Sequence, residues 1–315
     1  MADRQTTLRS PVTLEGIGVH SGAPACLCLR PSAANTGVVF LRKGLEGGHE
    51  QLIHARHNKV SATELCTVVG EQASGSVATI EHLMSACAGL GLDNVLVEID
   101  GPEMPIMDGS AAEFVTAIEA AGIVALSAAR RYLKVLRPVR VEHGRAFAEL
   151  APSEAGFRLD VEIDFDTPAI GRQRKIFDLD PAAYASEISR ARTFGFMRDV
   201  EQLWKAGFAL GASLDNTVAI GEDKVINPEG LRYADEFVRH KVLDAVGDLA
   251  LAGYPILGEF RSYCGGHRMN VRILEALFAD RANYAIVEAE PVYAPRAVQM
   301  AAGAPMPAAL APDLH

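Results

Sequence analysis

The stretch EFVRHKVLDAVGDLAL, residues 236–251, constrains the fold more than any other part of this 315-residue chain. Its Val, Leu and Ala content predicts a helix, part of a longer helical segment over 231–253, yet it carries His240, Asp244 and Asp248 at intervals of four. Residues four apart on an α-helix drift by only about 40° around its axis, so the three polar groups form one stripe along one side. Any fold built on this helix must place something opposite that stripe.

The rest of the pattern divides into two halves. In the first, ACLCLR (25–30) and GVVFLR (37–42) alternate as strands of a small antiparallel sheet. They are followed by a helical pattern at 76–91 closed by glycine, a strand at 93–100 and a capped helix at 110–122. The second half opens with strands at 131–142 and 157–165 and continues with helices at 198–207, 231–253 and 267–280. Strands before helices in each half predict an α+β fold: two similar two-layer sandwiches, an internal duplication, packed together with the active site between them. The expected units are residues 1–126, residues 127–290, and a mobile tail at 291–315 that is rich in Pro and Ala and has no apolar period.

Composition excludes several classes. A hydrophobic fraction of 49% is ordinary for a chain that buries real cores, and no run of 18 apolar residues offers a transmembrane span. The polar start MADRQTTLRSPVTL lacks a secretory pattern, so a cytoplasmic location is expected. The five cysteines have no CxxC spacing and read as reduced thiols. A formal net charge of −10 argues against nucleic-acid binding, which needs a basic surface to displace counterions.

Four places could carry chemistry. His240 and Asp244, one turn apart, match the spacing at which one helix offers two ligands to one ion, and their donor types suit zinc; a solvated helix face has the same spacing. Glu81 and His82, in TIEHLMSA (79–86), diverge by about 100° and can border one cleft, one holding a metal and the other its water. A core histidine beside an exposed glutamate is the plainer reading of that pair. In SYCGGHRMN (262–270) two glycines precede His267 at the start of a predicted helix, which is either an anion site or a simple strand-to-helix turn. Residues 193–210 concentrate Phe194, Phe196, Met197, Val200, Leu203, Trp204, Phe208 and Leu210, which either line an acyl channel or pack one amphipathic helix.

Together these segments resemble the zinc-dependent UDP-3-O-acyl-N-acetylglucosamine deacetylase family of Gram-negative bacteria, which acts early in lipid A synthesis. The resemblance spans nearly the whole chain: LEGIGVHSG (14–22), EHLMSACAGLGLDN (81–94), PIMDGSAAEFV (105–115), RTFGF (192–196), NPEGLRYADEFVRHKVLDAVGDL (227–249) and GGHRMN (265–270). It implies that His82, His240 and Asp244 bind Zn²⁺ and leave a fourth position for water, the open geometry of a catalytic site. The same donor set accepts Fe²⁺ or Co²⁺, with zinc the default. It further implies Glu81 as general base, His267 as general acid or as a positive charge beside the intermediate, and Thr193 as an oxyanion contact. Asp248 is expected to favour the His267 imidazolium, and Lys241 to help place substrate.

The implied substrate is UDP-glucosamine bearing an N-acetyl group and a 3-O-hydroxyacyl chain, hydrolysed to acetate and the free amine. Phe194, Phe196 and Val200 fall in the insert, about 194–224, that forms the family's acyl passage; Phe165 and Gly266 fall where the nucleotide lies. Where better-known members carry a lysine this chain has Cys264, with Arg268 as the candidate replacement. A monomer is expected, with peripheral membrane contact compatible with an acylated substrate. The competing expectations are a binding protein for nucleotide sugars or lipid precursors without catalysis, and a structural metal joining the halves. No fourth protein ligand is evident for the latter, and a pure binder has no use for Glu81.

Overall fold

The structure is a computed structural model that describes residues 3–154 and 156–289, so the segment expected to form a tail lies outside the described residues. It is an α+β fold, as the pattern predicts. The first half carries a five-stranded sheet in the order 12–17, 24–31, 95–99, 38–42, 51–54. Alternation puts Leu27, Leu29, Val95, Val97 and Ile99 in the core. The sheet is mixed rather than antiparallel, because Val38–Arg42 pairs parallel with Val95–Ile99 in the register Phe40↔Val97. A parallel neighbour requires a long crossover, and residues 43–94 supply it, including helix α1 (Glu81–Leu90). Helix α2 (Ala112–Ala121) follows.

Helix α1 begins five residues later than its periodicity suggests. Gly75–Val77 is drawn into a strand beside Val68–Glu71, and Thr79 then stands at φ 57, a left-handed conformation that no helix continues through. The end of the helix follows the sequence signal: Gly91 at φ 72 turns the chain, and the Leu92 N–H returns to Cys87 O.

The second half carries a seven-stranded sheet in which the strand Ile256–Tyr263 is central, pairing with Ala146–Ala151, Arg131–Val135 and Phe157–Asp164. The single strand expected over 131–142 is two, Arg131–Val135 and Val139–His143, with Pro138 in the break, where it has no N–H to give a ladder. Three shorter elements, α3 (Pro181–Ala183) with the π-turn Tyr184–Ile188 and α4 (Met197–Lys205), precede the long helix α5 (Glu236–Leu249) and then α6 (His267–Phe278). Helix α5 is shorter at its start than predicted. The Glu236 carboxylate accepts from the backbone N–H groups of Arg192 and Arg232 and from Arg192 Nε, which ties residues 231–235 into a turn.

Helices α1 and α5 pack directly against each other and join the halves. Ser85 Oγ donates to Leu243 O at 2.7 Å and accepts from the Tyr184 hydroxyl at 2.8 Å. Gly247 lets α5 approach the α1 backbone, since a Cβ there would meet Glu81 O and C and Ser85 N. Twelve of the fourteen α5 residues are buried, which explains its all-round apolar composition and forces its polar stripe to find partners inside the protein. No helix among the described residues is long and apolar enough to cross a membrane.

Candidate active site

The stripe on α5 faces the start of α1 and the start of α6. His82 from the first half meets His240 and Asp244 from the second: one donor atom from each lies within 4.8 Å of the others. Asp244 Oδ1 stands 3.7 Å from His82 Nε2 and 3.4 Å from His240 Nε2, and the two imidazoles meet edge to face at 5.1 Å. Backbone geometry orients the group, since His240 Nδ1 lies 3.1 Å from Ala191 O and leaves Nε2 to point inward. Burial pushes His82 down to about 4 and His240 down to about 3, so both rings are neutral with a lone pair to offer. Burial opposes ionisation of Asp244, but the Lys241 ammonium on its Oδ2 holds it below the usual carboxylate range.

Two buried atoms in this group, Asp244 Oδ1 and His82 Nδ1, have no hydrogen-bond partner. A buried carboxylate oxygen without a donor is costly unless a cation completes it. Two neutral imidazoles and a carboxylate are a donor set that fits a divalent transition metal.

A second cluster adjoins the first. The Glu81 carboxylate is pinned by the Thr67 N–H on Oε2 at 3.0 Å, while Oε1 faces His267 Nε2 at 3.8 Å. The other ring nitrogen of His267 meets Asp248 Oδ2 at 2.8 Å, and Asp248, fully buried, also accepts from Thr67 Oγ1 at 2.6 Å and Asn270 Nδ2 at 2.9 Å. Burial raises Glu81 to about 7. Burial would lower His267, but Asp248 and Glu81 outweigh it and push the imidazolium up to about 10. One carboxylate poised to take a proton thus sits beside one imidazolium poised to give one.

The other expected residues fall nearby in varying degrees. Lys241 Nζ donates to Asp244 Oδ2 at 2.8 Å and lies 5.3 Å from the Phe194 ring centre. Thr193 is fixed through its backbone to Gly109 O and Val218 N, and its hydroxyl makes no hydrogen bond among the described residues. Phe194 packs on Phe237 and His240, while Phe165 packs on Phe194 and Phe196, so all three rings form one aromatic wall beside His240. Val200 lies farther along, on α4, which has no buried residue. Gly266 caps α6 with extended backbone and open space in front of it.

Beside Lys241 opens a cleft of about 350 Å³ lined by His143, Arg145, Asp164, Phe165 and Cys264 among others. Arg268 is exposed and outside that lining, so the basic groups that share the cleft with Cys264, besides Lys241, are Arg145 and His143. Sequence reasoning missed these two, as well as Thr67, Asn270 and Glu103. Asn270 was within reach, one turn after His267 on the same helix. Glu103 is buried and accepts from the N–H groups of His20 and Ser21 and from Thr79 Oγ1, at 2.8–2.9 Å, tying the 18–22 loop to the strained entrance of α1.

The profile described as LpxC, UDP-3-O-acyl N-acetylglycosamine deacetylase, matches residues 5–279. The chain belongs to that deacetylase family. Proteins named UDP-3-O-acyl-N-acetylglucosamine deacetylase from Brucella ovis and Brucella canis are each 50% identical to it over 286 residues, 90% of this chain and 99% of theirs. The protein of the same name from Brucella melitensis biotype 2 is 49% identical over the same span.

Proposed function

We propose that the protein is a zinc amidase acting in lipid A synthesis: it hydrolyses the N-acetyl group of UDP-3-O-(3-hydroxyacyl)-N-acetylglucosamine to acetate and the free amine. The observation that carries this reading is the juxtaposition of Glu81 and His267, 3.8 Å apart, with the buried triad His82, His240 and Asp244. The site would form where residues 1–126 meet residues 127–290, with the insert from about 194 to 224 receiving the acyl chain.

When bound by the triad, zinc supplies Lewis acidity that acidifies water and polarises the acetamide carbonyl. Glu81 Oε1 takes the proton of the attacking water, while its Oε2 stays anchored on Thr67 and so keeps the carboxylate aimed. The Thr193 hydroxyl donates to the oxygen on which negative charge develops. Asp248 holds His267 Nδ1, so the Nε2 proton points into the site. That proton goes to the glucosamine nitrogen as the C–N bond breaks, because an amide anion cannot leave unprotonated. Lys241 holds Asp244 Oδ2 and leaves Oδ1 facing the two imidazoles. In the aromatic wall beside these groups, Phe194 and Phe196 offer the acyl chain an apolar surface and Phe165 lies toward the nucleotide, and such remote contacts place the acetamide.

The test is acetate release from the acylated nucleotide sugar by the purified protein, repeated after chelation and after adding back zinc. Activity should vanish and return. Folded, zinc-loaded protein that binds the nucleotide sugar without releasing acetate would replace this reading by that of a binding protein.

A further inference from the structure

A second cavity lies away from His82, His240 and Asp244. It measures about 520 Å³ and lies between the halves, toward the C-terminal ends of α1 and α5, and none of its lining residues belongs to the candidate site. Its apolar wall includes Met84 and Cys87 of α1, Val246 and Leu249 of α5, Leu92 and Phe157. The volume is that of an ordinary small-molecule site.

Its polar side is unusual in charge. Half-buried Arg56, from the first half, and Arg131, from the second, both stand against the Tyr254 ring, at 5.1 and 5.3 Å from its centre. Arg56 gives one hydrogen bond to Ala252 O and Arg131 gives one to Asn35 Oδ1, but neither makes an ion pair with a carboxylate among the described residues. Arg131 Nε is buried with no partner at all. Of the other charges in the wall, Arg130 pairs with Asp93 at 2.9 Å, and Asp180 has no cationic partner among the described residues but is engaged as the cap of Ala182 and Ala183, which leaves the lining one positive charge in excess. Two guanidiniums without a carboxylate partner beside an apolar chamber of net positive lining, in a chain of net charge −10, call for an anion rather than a cation.

We propose that this cavity binds a single-chain amphiphile with an anionic head, a carboxylate or a phosphate monoester. The head lies on Arg56 and Arg131, and the alkyl chain runs over Met84, Cys87, Val246 and Leu249. Both the guanidinium donors and the apolar wall come from the two halves, so the ligand ties them together at the far ends of the helices that carry Glu81, His82, His240 and Asp244. The inference is independent of the deacetylase reading, because it can be read from binding alone.

The experiment is calorimetric titration of the full chain with dodecanoate, dodecyl phosphate and dodecyltrimethylammonium. Saturable one-to-one binding of at least one anion is expected, with the cation at least about tenfold weaker, since charge-assisted contacts are lost. The ratio of the two anions identifies the preferred head. Arg56→Ala with Arg131→Ala should weaken binding about tenfold or more, and the paired Lys substitutions should restore most of it. Ala88→Trp, which places a large side chain in the lining, should abolish binding while the folded state persists by circular dichroism. Phe196→Ala, in the separate aromatic wall, should leave binding unchanged. Absence of binding to the full chain, equal binding of the cationic amphiphile, or loss with Phe196→Ala but not with Ala88→Trp would each overturn the proposal.

Discussion

Replacing Gly247 by alanine tests whether the spacing of α1 and α5 sets the geometry of the site. A Cβ on Gly247 would stand 2.9 Å from the Glu81 carbonyl carbon and 3.0 Å from Ser85 N, and closer still to Glu81 O. All three are backbone atoms of α1, so no rotamer relieves the contact and the helices must part by on the order of 1 Å. That motion carries Glu81 and His82 away from His240, Asp244 and His267. Helix propensity favours alanine by up to about 1 kcal/mol, whereas overpacking costs about 1–3 kcal/mol, so the net change in stability is small or unfavourable. A 1 Å misplacement of catalytic groups costs about 10²-fold in rate. The expected variant is therefore folded, melts within several degrees of the parent, binds zinc more weakly in chelator competition and loses about 10²-fold in kcat/KM for acetate release. Parent-like metal affinity together with parent-like kcat/KM would refute the claim that this contact sets the site.

Glu81→Gln keeps the shape of the side chain but removes the proposed base. Acetate release should fall about 10²–10⁴-fold with zinc affinity nearly unchanged, and a loss of less than tenfold would place the base elsewhere. Because Glu81 must be ionised and His267 protonated, kcat/KM should rise with pH through the Glu81 value near 7 and fall as His267 deprotonates near 10. A bound divalent cation favours the carboxylate and disfavours the imidazolium, so both limbs of the holoenzyme profile should shift to lower pH. Asp248→Asn removes the leading charge that raises His267 and should move the alkaline limb down further while the acid limb moves less; an unmoved alkaline limb would detach His267 from that limb. Glu103→Ala strands one buried donor, the Thr79 hydroxyl, at about 1–3 kcal/mol, and two half-buried N–H groups at less, so the melting temperature should fall by several degrees, and an unchanged melt would show that the 18–22 loop is held by other contacts.

The stripe of His240, Asp244 and Asp248 was legible because helical periodicity is a local property: four residues return a side chain to the same face whatever the tertiary context. The same locality made α2, α4, α6 and the His267 position at the head of α6 readable, and it placed Glu81 and His82 on adjacent faces of α1. It failed where distant segments compete for the backbone. Gly75–Val77 became a strand because Val68–Glu71 was there to pair with it, and the turn before Glu236 formed because its carboxylate met Arg192. Thr67 carries no signal in its neighbourhood, yet its N–H holds Glu81 and its hydroxyl holds Asp248, contacts 14 and 181 residues apart in the chain. Sequence alone thus determined which side chains share a face and which chemistry they offer. The distances between faces, the pairing of Glu81 with His267 and the chamber under Arg56 and Arg131 were decided by how the two halves pack, and the basic groups beside Cys264 by how the second half folds, because burial and charge compensation depend on residues that only the tertiary structure brings together.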